Sequence, residues 1–304
     1  MNLSALMPWK WSKLDPARTR AARHHFDVAG GYDEWQVQCQ KAFKRKIPAG
    51  ENAIATSGME VVTILSPAEA AKTKQLLLDK AKQFQQKKKA IDYADTLAFE
   101  NTDFLTPIME KMFNPEIDAR ITRFFGSEYF VQGLVANRTM PAAESKRSFL
   151  WHGDRGPKNF LKINLFLDAT SEHGGTTEFL NIAESEKFEK IGYTFGANDR
   201  RVSDLATISG KAGVTPHVTH PQLDAGQAFM FLPSRSLHRG FLPTKGTRHM
   251  LLAIILPSPI HWRKAWDHMS ESGYFLREGE TFPEQAEILR GKMGLADARA
   301  ERAA

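Results

Sequence analysis

The sequence is poor in cysteine and contains no long apolar run. Cys39 is the sole cysteine among the 304 residues, so the chain cannot form an internal disulfide or a cysteine-based metal site. No apolar stretch reaches the length of about 18 residues that a membrane-spanning helix needs. Pro8, Lys10 and Lys13 interrupt the N-terminal segment, which is too polar for a signal peptide. We therefore expect a cytoplasmic protein without a transmembrane segment.

The sequence also lacks the zinc-finger, RNP and glycine-rich phosphate-loop motifs of nucleic-acid-binding and nucleotide-binding proteins. Its formal net charge of +6 is moderate, and part of it lies in two short basic runs, at 44–46 and 87–89. Such runs are usually solvated surface, and an acidic partner such as a phosphorylated sugar, a lipid headgroup or nucleic acid is the alternative. We therefore expect a small-molecule substrate rather than nucleic acid.

Local patterns predict the elements of the first half of the chain. The β-branched run Met59–Leu65 favours a strand. Ser66-Pro67-Ala68-Glu69 predicts a helix start with Ser66 as N-cap and Glu69 closing a capping box, and the helix is expected to continue to about Lys88. A second helix is predicted over 103–113, ended by Asn114-Pro115.

Beyond Ile117 the pattern favours β structure. Strict alternation of aliphatic residues over Leu161–Leu167 indicates a strand with one buried face. The predicted strands lie at 119–125, 129–138, 147–152, 160–168, 226–232 and 247–256. Strands separated by turns, with helices gathered near the N-terminus, indicate an α+β protein whose mainly β core is a sandwich or jelly roll.

We expect a single domain over 1–304. Within it, 1–58 is predicted to be an N-terminal extension of short helices and loops, and 59–260 the β core with its supporting helices. The charged stretch 181–225 is interpreted as an insertion, and 261–304 as a helical C-terminal tail.

His152 and Asp154 are candidate metal ligands. Side chains two residues apart share a strand face, so both can reach one ion from the end of a strand, and Gly153 suits a backbone that bends locally. His238, in a turn after a buried strand, is the candidate third ligand. Two imidazoles and one carboxylate form the facial arrangement of non-haem Fe(II) oxygenases. The alternative is a surface turn in which Asp154 caps a backbone amide.

Arg248 is a candidate anion-binding residue. On a strand it shares a face with three large apolar residues of 250–254, so its guanidinium is predicted to point into a barrel or pocket. A buried guanidinium needs an anion, and its forked shape suits a carboxylate. The alternative is a structural ion pair, for instance with Asp224 or Glu178. Two further histidines, His217 and His220, are interpreted as loop residues, with contact to a substrate as the alternative.

The ordered set His152-x-Asp154, His238 and Arg248 resembles the motif of Fe(II)/2-oxoglutarate-dependent oxygenases, in particular the branch that includes phytanoyl-CoA dioxygenase. The resemblance covers roughly 59–260 and extends to three surrounding segments, Ile64–Glu69, Leu161–Thr176 and Leu223–Phe229.

This resemblance implies a double-stranded β-helix in which His152, Asp154 and His238 hold Fe(II). 2-Oxoglutarate would chelate the iron, place its far carboxylate on Arg248 and be converted with O2 to succinate and CO2. A second group for the far end of 2-oxoglutarate is expected among Asn137, Lys162, Asn164 and Thr176, with Asn164 and Thr176 favoured because they flank the first iron strand.

The carboxylate of Asp154 implies hydroxylation rather than halogenation, since halogenases of this class carry a small residue there. The predicted substrate is a small organic molecule. One alternative is an oxygenase acting on a macromolecule or a glycolipid, which the basic runs and the 181–225 stretch motivate. The other is a non-catalytic, cupin-like protein that binds a metal or a ligand.

Overall fold

The structure is a computed structural model that describes residues 14–29, 31–81, 83–85, 93–98, 103–195 and 200–265. Most of the predicted C-terminal tail and the basic run 87–89 lie outside these residues. The helices are α1 (Pro16–His24), followed by a π-helical turn (His25–Ala29), α2 (Tyr32–Ala42), α3 (Ala53–Ser57), α4 (Pro67–Lys80), α5 (Thr106–Met112), α6 (Pro115–Phe125), α7 (Thr170–His173), α8 (Ile182–Lys190) and α9 (Ala206–Ala212). The strands are β1 (Met59–Thr63), β2 (Gln83–Gln85), β3 (Ala94–Ala98), β4 (Glu128–Thr139), β5 (Leu161–Phe166), β6 (Thr176–Phe179), β7 (Gln227–Phe231), β8 (His238–Phe241) and β9 (Arg248–Ser258).

The strands form two antiparallel sheets. The larger sheet has seven strands in the order β1-β7-β5-β9-β4-β3-β2, and the smaller one pairs β6 with β8. The long pairing of β4 with β9 runs from Glu128 opposite Ser258 to Thr139 opposite Arg248. This register sets Arg248 beside Thr139 at the end of both strands.

One face of the large sheet is apolar and covered by helices. Leu161, Ile163 and Leu165 of β5 point to this side, as do Leu251 and Ala253 of β9. They pack against helices α4, α5 and α6, whose buried residues include Leu77, Met109, Met112, Ile121 and Phe125. The other side chains of these strands, one position along, face the opposite side, which leaves that face free to form a site.

The small sheet covers part of the opposite face of the large sheet. Phe179 of β6 packs against Phe229 and Phe231 of β7, with ring centroids 4.9 Å and 5.0 Å apart. The core is therefore two facing antiparallel sheets with helices outside them. This confirms the mainly β, double-stranded β-helix fold with surrounding helices that the sequence predicts.

The predicted helix start at Ser66 is confirmed. The Ser66 hydroxyl accepts from the backbone N–H of Glu69, and the Glu69 carboxylate accepts from the backbone N–H of Ser66, so two N-terminal amides are satisfied reciprocally. The helix ends at Lys80, earlier than predicted, and 83–85 form a strand. Asn114 ends one helix as expected but also begins the next, since its side chain accepts from two backbone amides of α6.

Two predicted strands are wrong. The stretch 119–125 belongs to α6, because Ile117, Ile121 and Phe125 recur every four residues and all are fully buried against the sheet. The stretch 147–152 contains a single 3-10 turn, Arg147–Phe149, followed by isolated bridges at Trp151 and His152. The strands predicted near β1, β4, β5, β7 and β9 are confirmed within a few residues.

The stretch 181–225, which is interpreted as an insertion, packs against the segments that carry the candidate ligands. It contains α8 and α9 and a second buried cluster in which Phe188, Tyr193 and Ile208 pack with Trp151 and Leu237. The N-terminal segment does form short helices, as predicted. No helix among the described residues has the length and apolar character needed to cross a membrane.

Candidate metal and anion site

The structure brings His152, Asp154 and His238 together. The Oδ1 atom of Asp154 lies 3.3 Å from Nε2 of His152 and 3.9 Å from Nε2 of His238. Their ligand atoms all lie within 4.8 Å of one another, close enough for one ion to contact all three. Both imidazoles are buried, and the two rings are 4.5 Å apart between centroids.

The backbone pairs the two histidine segments directly. The N–H of His152 donates to the carbonyl of His238 at 3.0 Å, and the N–H of His238 donates to the carbonyl of His152 at 2.9 Å. The N–H of Asp154 donates to the carbonyl of Pro233 at 2.8 Å. His152 and His238, 86 positions apart in the sequence, are thus held in register by main-chain hydrogen bonds, so their relative position does not rest on side-chain packing alone.

Each histidine is oriented for ligation by its other ring nitrogen. Nδ1 of His152 bonds to the carbonyl of Leu150 at 2.7 Å, and Nδ1 of His238 bonds to the carbonyl of Ser236 at 2.9 Å. Since a carbonyl only accepts, each Nδ1 carries the proton and each Nε2 presents a lone pair to the site. Burial and, second to it, the nearby His152 lower the pKa of His238 to about 3, so His238 stays neutral, the form that binds a metal.

Gly153 is required by a close approach of another chain segment. A Cβ at this position would overlap with the hydroxyl of Thr194, and the N–H of Gly153 donates to the carbonyl of Thr194 at 2.9 Å. The sequence predicts a local bend at Gly153, and its φ lies outside the left-handed region, so the glycine is needed for space rather than for an unusual backbone conformation. The segment after α8 therefore packs against the loop that carries His152 and Asp154 at Gly153, which has no side chain.

Asp154 is paired with Lys162 on the side away from the histidines. The Lys162 ammonium contacts Oδ2 of Asp154, which leaves Oδ1 for the histidine side. Burial alone would raise the pKa of Asp154, but Lys162 and the two histidines outweigh it and hold the pKa well below its usual range. Asp154 is therefore a carboxylate, presenting one oxygen as a monodentate ligand. The sequence predicts Lys162 only as a candidate for the far end of 2-oxoglutarate, so its contact with Asp154 is a finding of the structure.

Arg248 lies on the same face of the large sheet. It is a buried cation that has no acidic partner among the described residues. Its side chain donates to the carbonyls of Thr176 at 2.9 Å and Phe241 at 3.3 Å and to the Thr139 hydroxyl at 3.4 Å. Within the described part of the chain it forms no ion pair, and its Nε has no hydrogen-bond partner. Burial lowers the pKa of Arg248 to about 10. The alternative interpretation of Arg248, an ion pair with Asp224 or Glu178, is therefore not found among the described residues.

One cavity of about 300 Å³ connects these groups. Its lining includes all three candidate ligands together with Lys162 and Arg248. Further polar lining residues are Asp95, which pairs with Arg138, and Thr96, Asn137, Thr139, Arg147, Ser148, Asn164 and Thr177. Arg248 and the three candidate metal ligands thus open onto one small space. A dicarboxylic acid that bridges a metal ion and Arg248 would need this arrangement.

The two groups predicted to bind the far end of 2-oxoglutarate beside Arg248 differ in position. Asn164 lines the cavity, is 5% exposed, and its Oδ1 has no hydrogen-bond partner among the described residues. Thr176 does not line the cavity, because its hydroxyl donates to the carbonyl of Pro221 at 2.9 Å and only its carbonyl reaches Arg248. The Thr139 hydroxyl, which is not among the predicted groups, lines the cavity and accepts from Arg248. The sequence held no signal for it, because its position depends on the register of β4 against β9.

His217 and His220 lie in a loop, as predicted, and neither lines the cavity. Nδ1 of His217 is 2.7 Å from Glu184, and Nδ1 of His220 is 2.9 Å from Glu178, which also pairs with Arg239. Both histidines thus have acidic partners of their own.

No protein-family model and no curated protein matches the sequence. In structure the chain is similar to solved non-haem, α-ketoglutarate-dependent enzymes. The epimerase SnoN from nogalamycin biosynthesis is 13% identical, with a TM-score of 0.48 over 74% of this chain and 84% of that one. EctD from S. alaskensis with bound Fe is 14% identical, with a TM-score of 0.48 over 70% and 79%. HygX from Streptomyces hygroscopicus, with nickel and 2-oxoglutarate bound, is 10% identical, with a TM-score of 0.45 over 68% and 86%.

Proposed function

We propose that this protein is an Fe(II)- and 2-oxoglutarate-dependent oxygenase that hydroxylates a small organic substrate. One observation carries the proposal: a His-Asp-His ligand set and a buried arginine without an acidic partner open onto the same cavity. The ligand set suits Fe(II), since two neutral imidazoles and one carboxylate occupy one face of the ion and leave the other face open. The arginine explains why the co-substrate would be a dicarboxylic acid.

Each group of the chain has a defined task in this proposal. His152, Asp154 and His238 hold the ion, and Arg248 binds the far carboxylate of 2-oxoglutarate through the N–H groups that the carbonyls leave free. The Thr139 hydroxyl accepts from Arg248, so its own hydrogen is available to the same carboxylate. Bound Fe(II) and 2-oxoglutarate supply the oxidising chemistry, with O2 as oxidant and succinate and CO2 as products.

Asn164 remains a proposed co-substrate residue. Its side chain stands on β5 between Lys162 and Phe166, on the cavity side of the sheet, and its Oδ1 is unpartnered within the described residues. A buried, unsatisfied amide oxygen is costly unless a ligand or an ordered water completes it. The contribution of Thr176 is different: its carbonyl holds the Arg248 guanidinium in position.

Hydroxylation and a small substrate are proposed for two reasons. The Asp154 carboxylate fills the third ligand position, so an exogenous halide has no vacant position on that face. The cavity volume of about 300 Å³ must hold the co-substrate as well, which suits a small second molecule. An oxygenase acting on a macromolecule or glycolipid and a non-catalytic, cupin-like protein remain the alternatives.

We further propose that 1–304 forms one oxygenase domain. The N-terminal helices support this, because they are tied to the β core. Arg23 of α1 pairs with Glu189 of α8 at 2.9 Å and donates to the Ser234 carbonyl at 3.0 Å. The indole of Trp35 in α2 donates to the carbonyl of Pro257 at 2.8 Å.

The test is an anaerobic titration of metal-free protein with Fe(II) and then with 2-oxoglutarate, followed by the visible charge-transfer band of a chelated keto acid. We expect the band in wild type and in His217→Ala, which removes an imidazole outside the cavity. We expect no band in Asp154→Ala or His238→Ala, with folding checked by circular dichroism. Iron binding without a band in wild type would support the non-catalytic alternative. A band without isotopic oxygen in any product would refute hydroxylation alone.

A further inference from the structure

The backbone of Arg147 adopts a conformation that L-residues rarely hold. Its φ is +54°, and it is the one non-glycine residue with positive φ in the described ranges. The left-handed conformation costs an L-residue roughly 1–2 kcal/mol, and such strain persists where the surroundings enforce it, often at functional sites. Arg147 begins the 3-10 turn that leads into the ligand segment at His152. The strained residue therefore lies at the entrance of the proposed active site.

The Arg147 side chain is exposed and lines the cavity together with Asp154 and Ser148. Within the part of the chain that the structure describes, it forms no ion pair. The acidic groups nearby in sequence or space are already occupied: Glu144 pairs with Lys146, and Asp154 with Lys162. The positive charge of Arg147 is therefore uncompensated at the cavity rim.

A second arginine is fixed beside Arg147. Nη1 of Arg201 donates to the carbonyl of Arg147 at 3.0 Å, and the N–H of Trp151 donates to the carbonyl of Val202 at 2.9 Å, so the two segments run side by side. Burial lowers the pKa of Arg201 and the charges of Arg155 and Arg147 lower it further, while Asp154 opposes this. Arg201 thus lies against the backbone of Arg147, and its charge interacts with Asp154, a candidate iron ligand.

We propose, building on the function proposed above, that the substrate is a small molecule carrying a phosphate or carboxylate group, and that Arg147 binds this group at the rim while the charge of Arg201 beside it adds to the attraction. Planar guanidinium groups match both anions, and two of them match the larger charge of a phosphate. The anion is held at the entrance, and the rest of the molecule extends past Ser148 toward the ligands. The bond that is oxidised therefore lies a short distance from the anionic group.

A polymeric anion fits this surface less well. The basic run at 44–46 is partly neutralised, since Arg45 pairs with Asp118 at 2.9 Å and with Glu128 at 2.6 Å. The charge of the rim is also confined to one opening rather than spread along a surface, as a nucleic-acid backbone would need. A discrete anion is therefore the occupant that the charges favour.

The test uses calorimetric titration of the anaerobic Fe(II)–2-oxoglutarate complex with two sets of probes. One set contains small phosphate esters such as glycerol phosphate and hexose phosphates, and the other contains short hydroxy- and amino-carboxylates. The variants are Arg147→Gly, Arg147→Lys and the control Lys211→Gln, which removes an exposed cation on α9. Glycine adopts positive φ without strain, so Arg147→Gly removes the guanidinium while keeping the backbone.

We expect at least one probe set to bind wild type and Lys211→Gln equally. Binding should weaken about 10- to 100-fold in Arg147→Gly, as the loss of charge-assisted hydrogen bonds predicts, and recover in part in Arg147→Lys. Equal binding to Arg147→Gly and wild type, or no binding by either probe set, overturns the proposal. Tighter binding of a single-stranded oligonucleotide would assign the rim to a polymer and overturn it too.

The charge-transfer band, recorded in the same samples, separates this proposal from the function proposed above. A normal band without probe binding rejects the anionic substrate alone. If no band forms, the function fails, and probe titration of the protein without cofactors still decides whether the rim binds anions.

Discussion

Replacing Arg248 with methionine should separate its proposed role in binding 2-oxoglutarate from its role in the fold. Each pKa unit corresponds to about 1.4 kcal/mol. The drop of the pKa to about 10 therefore means that burial costs the charged form about 3 kcal/mol in protein without co-substrate. Methionine keeps the length of the stem over Phe166 and removes that cost.

The substitution also removes hydrogen bonds. The carbonyls of Thr176 and Phe241 and the hydroxyl of Thr139 lose a donor, at about 1 kcal/mol each. This loss nearly cancels the gain from removing a buried charge. We therefore expect the free energy of unfolding of the metal-free protein, measured in urea, to change by less than about 1.5 kcal/mol.

Affinity for 2-oxoglutarate should fall far more. A charge-assisted hydrogen bond contributes about 1.5–3 kcal/mol, and Arg248 offers its free Nε–H and a second N–H to a carboxylate. We expect the dissociation constant, read from the charge-transfer band, to rise about 100- to 1,000-fold. Succinate should bind more weakly in proportion, because it presents the same far carboxylate without the keto group.

Arg45→Met is the matched control. Arg45 pairs with the buried Glu128 at 2.6 Å, and neither residue lines the cavity. Removing Arg45 leaves a buried carboxylate uncompensated, so this variant should unfold more easily while 2-oxoglutarate affinity stays near wild type. The reasoning on Arg248 is refuted by the reverse pattern: a large loss of stability in Arg248→Met with unchanged 2-oxoglutarate affinity.

Three further outcomes are expected. Lys162→Met should bind Mn(II) more tightly, as measured by calorimetry, because removing the ammonium beside Asp154 strengthens the attraction of the site for a divalent ion. We expect this gain to exceed the roughly 10- to 100-fold loss in metal affinity that follows when a ligand loses its hydrogen-bond partner; weaker binding would mean that the orientation of Asp154 dominates. Gly153→Ala should weaken Mn(II) binding because the new methyl group would overlap with the Thr194 hydroxyl. Thr194→Ala removes that hydroxyl and should restore binding in the double variant; two additive losses would contradict this. Burial opposes ionisation of Asp168, but hydrogen bonds to neighbouring groups hold its pKa at about 2. The stability that the ionised form contributes is therefore lost as pH falls from about 4 to about 2. The free energy of unfolding of Asp168→Asn, measured in urea, should depend less on pH in that window than that of wild type.

The residues that the sequence predicts well are those whose role depends on local pattern. Alternation over Leu161–Leu167 locates β5, and the Ser66 capping box locates the start of α4. The segment 119–125 was assigned to a strand because its β-branched and aromatic residues favour one locally. Packing of Ile121 and Phe125 against the sheet decides for a helix.

The site divides in the same way. His152, Asp154, His238 and Arg248 follow an ordered motif, and the structure brings them to one cavity. The contacts of Lys162, Thr139 and Thr194 depend on pairing between distant strands and loops, which no local pattern encodes. Arg147 gave no signal either, since its left-handed backbone is a property of the folded turn.

The charges around the cavity connect the two proposals. Asp154 and Lys162 cancel, as do Asp95 and Arg138, and Fe(II) and 2-oxoglutarate would bring equal and opposite charges, so the bound site would keep the single positive charge of Arg248. Arg147 adds another at the entrance. Arg248 is buried, so this excess of positive charge is unfavourable, and an anionic substrate would reduce it. Co-substrate bound first should therefore leave a site that still attracts anions, and probe affinity should fall as ionic strength rises. Salt-independent binding of the probes would mean that shape, rather than the charge of Arg147 and Arg201, selects the substrate.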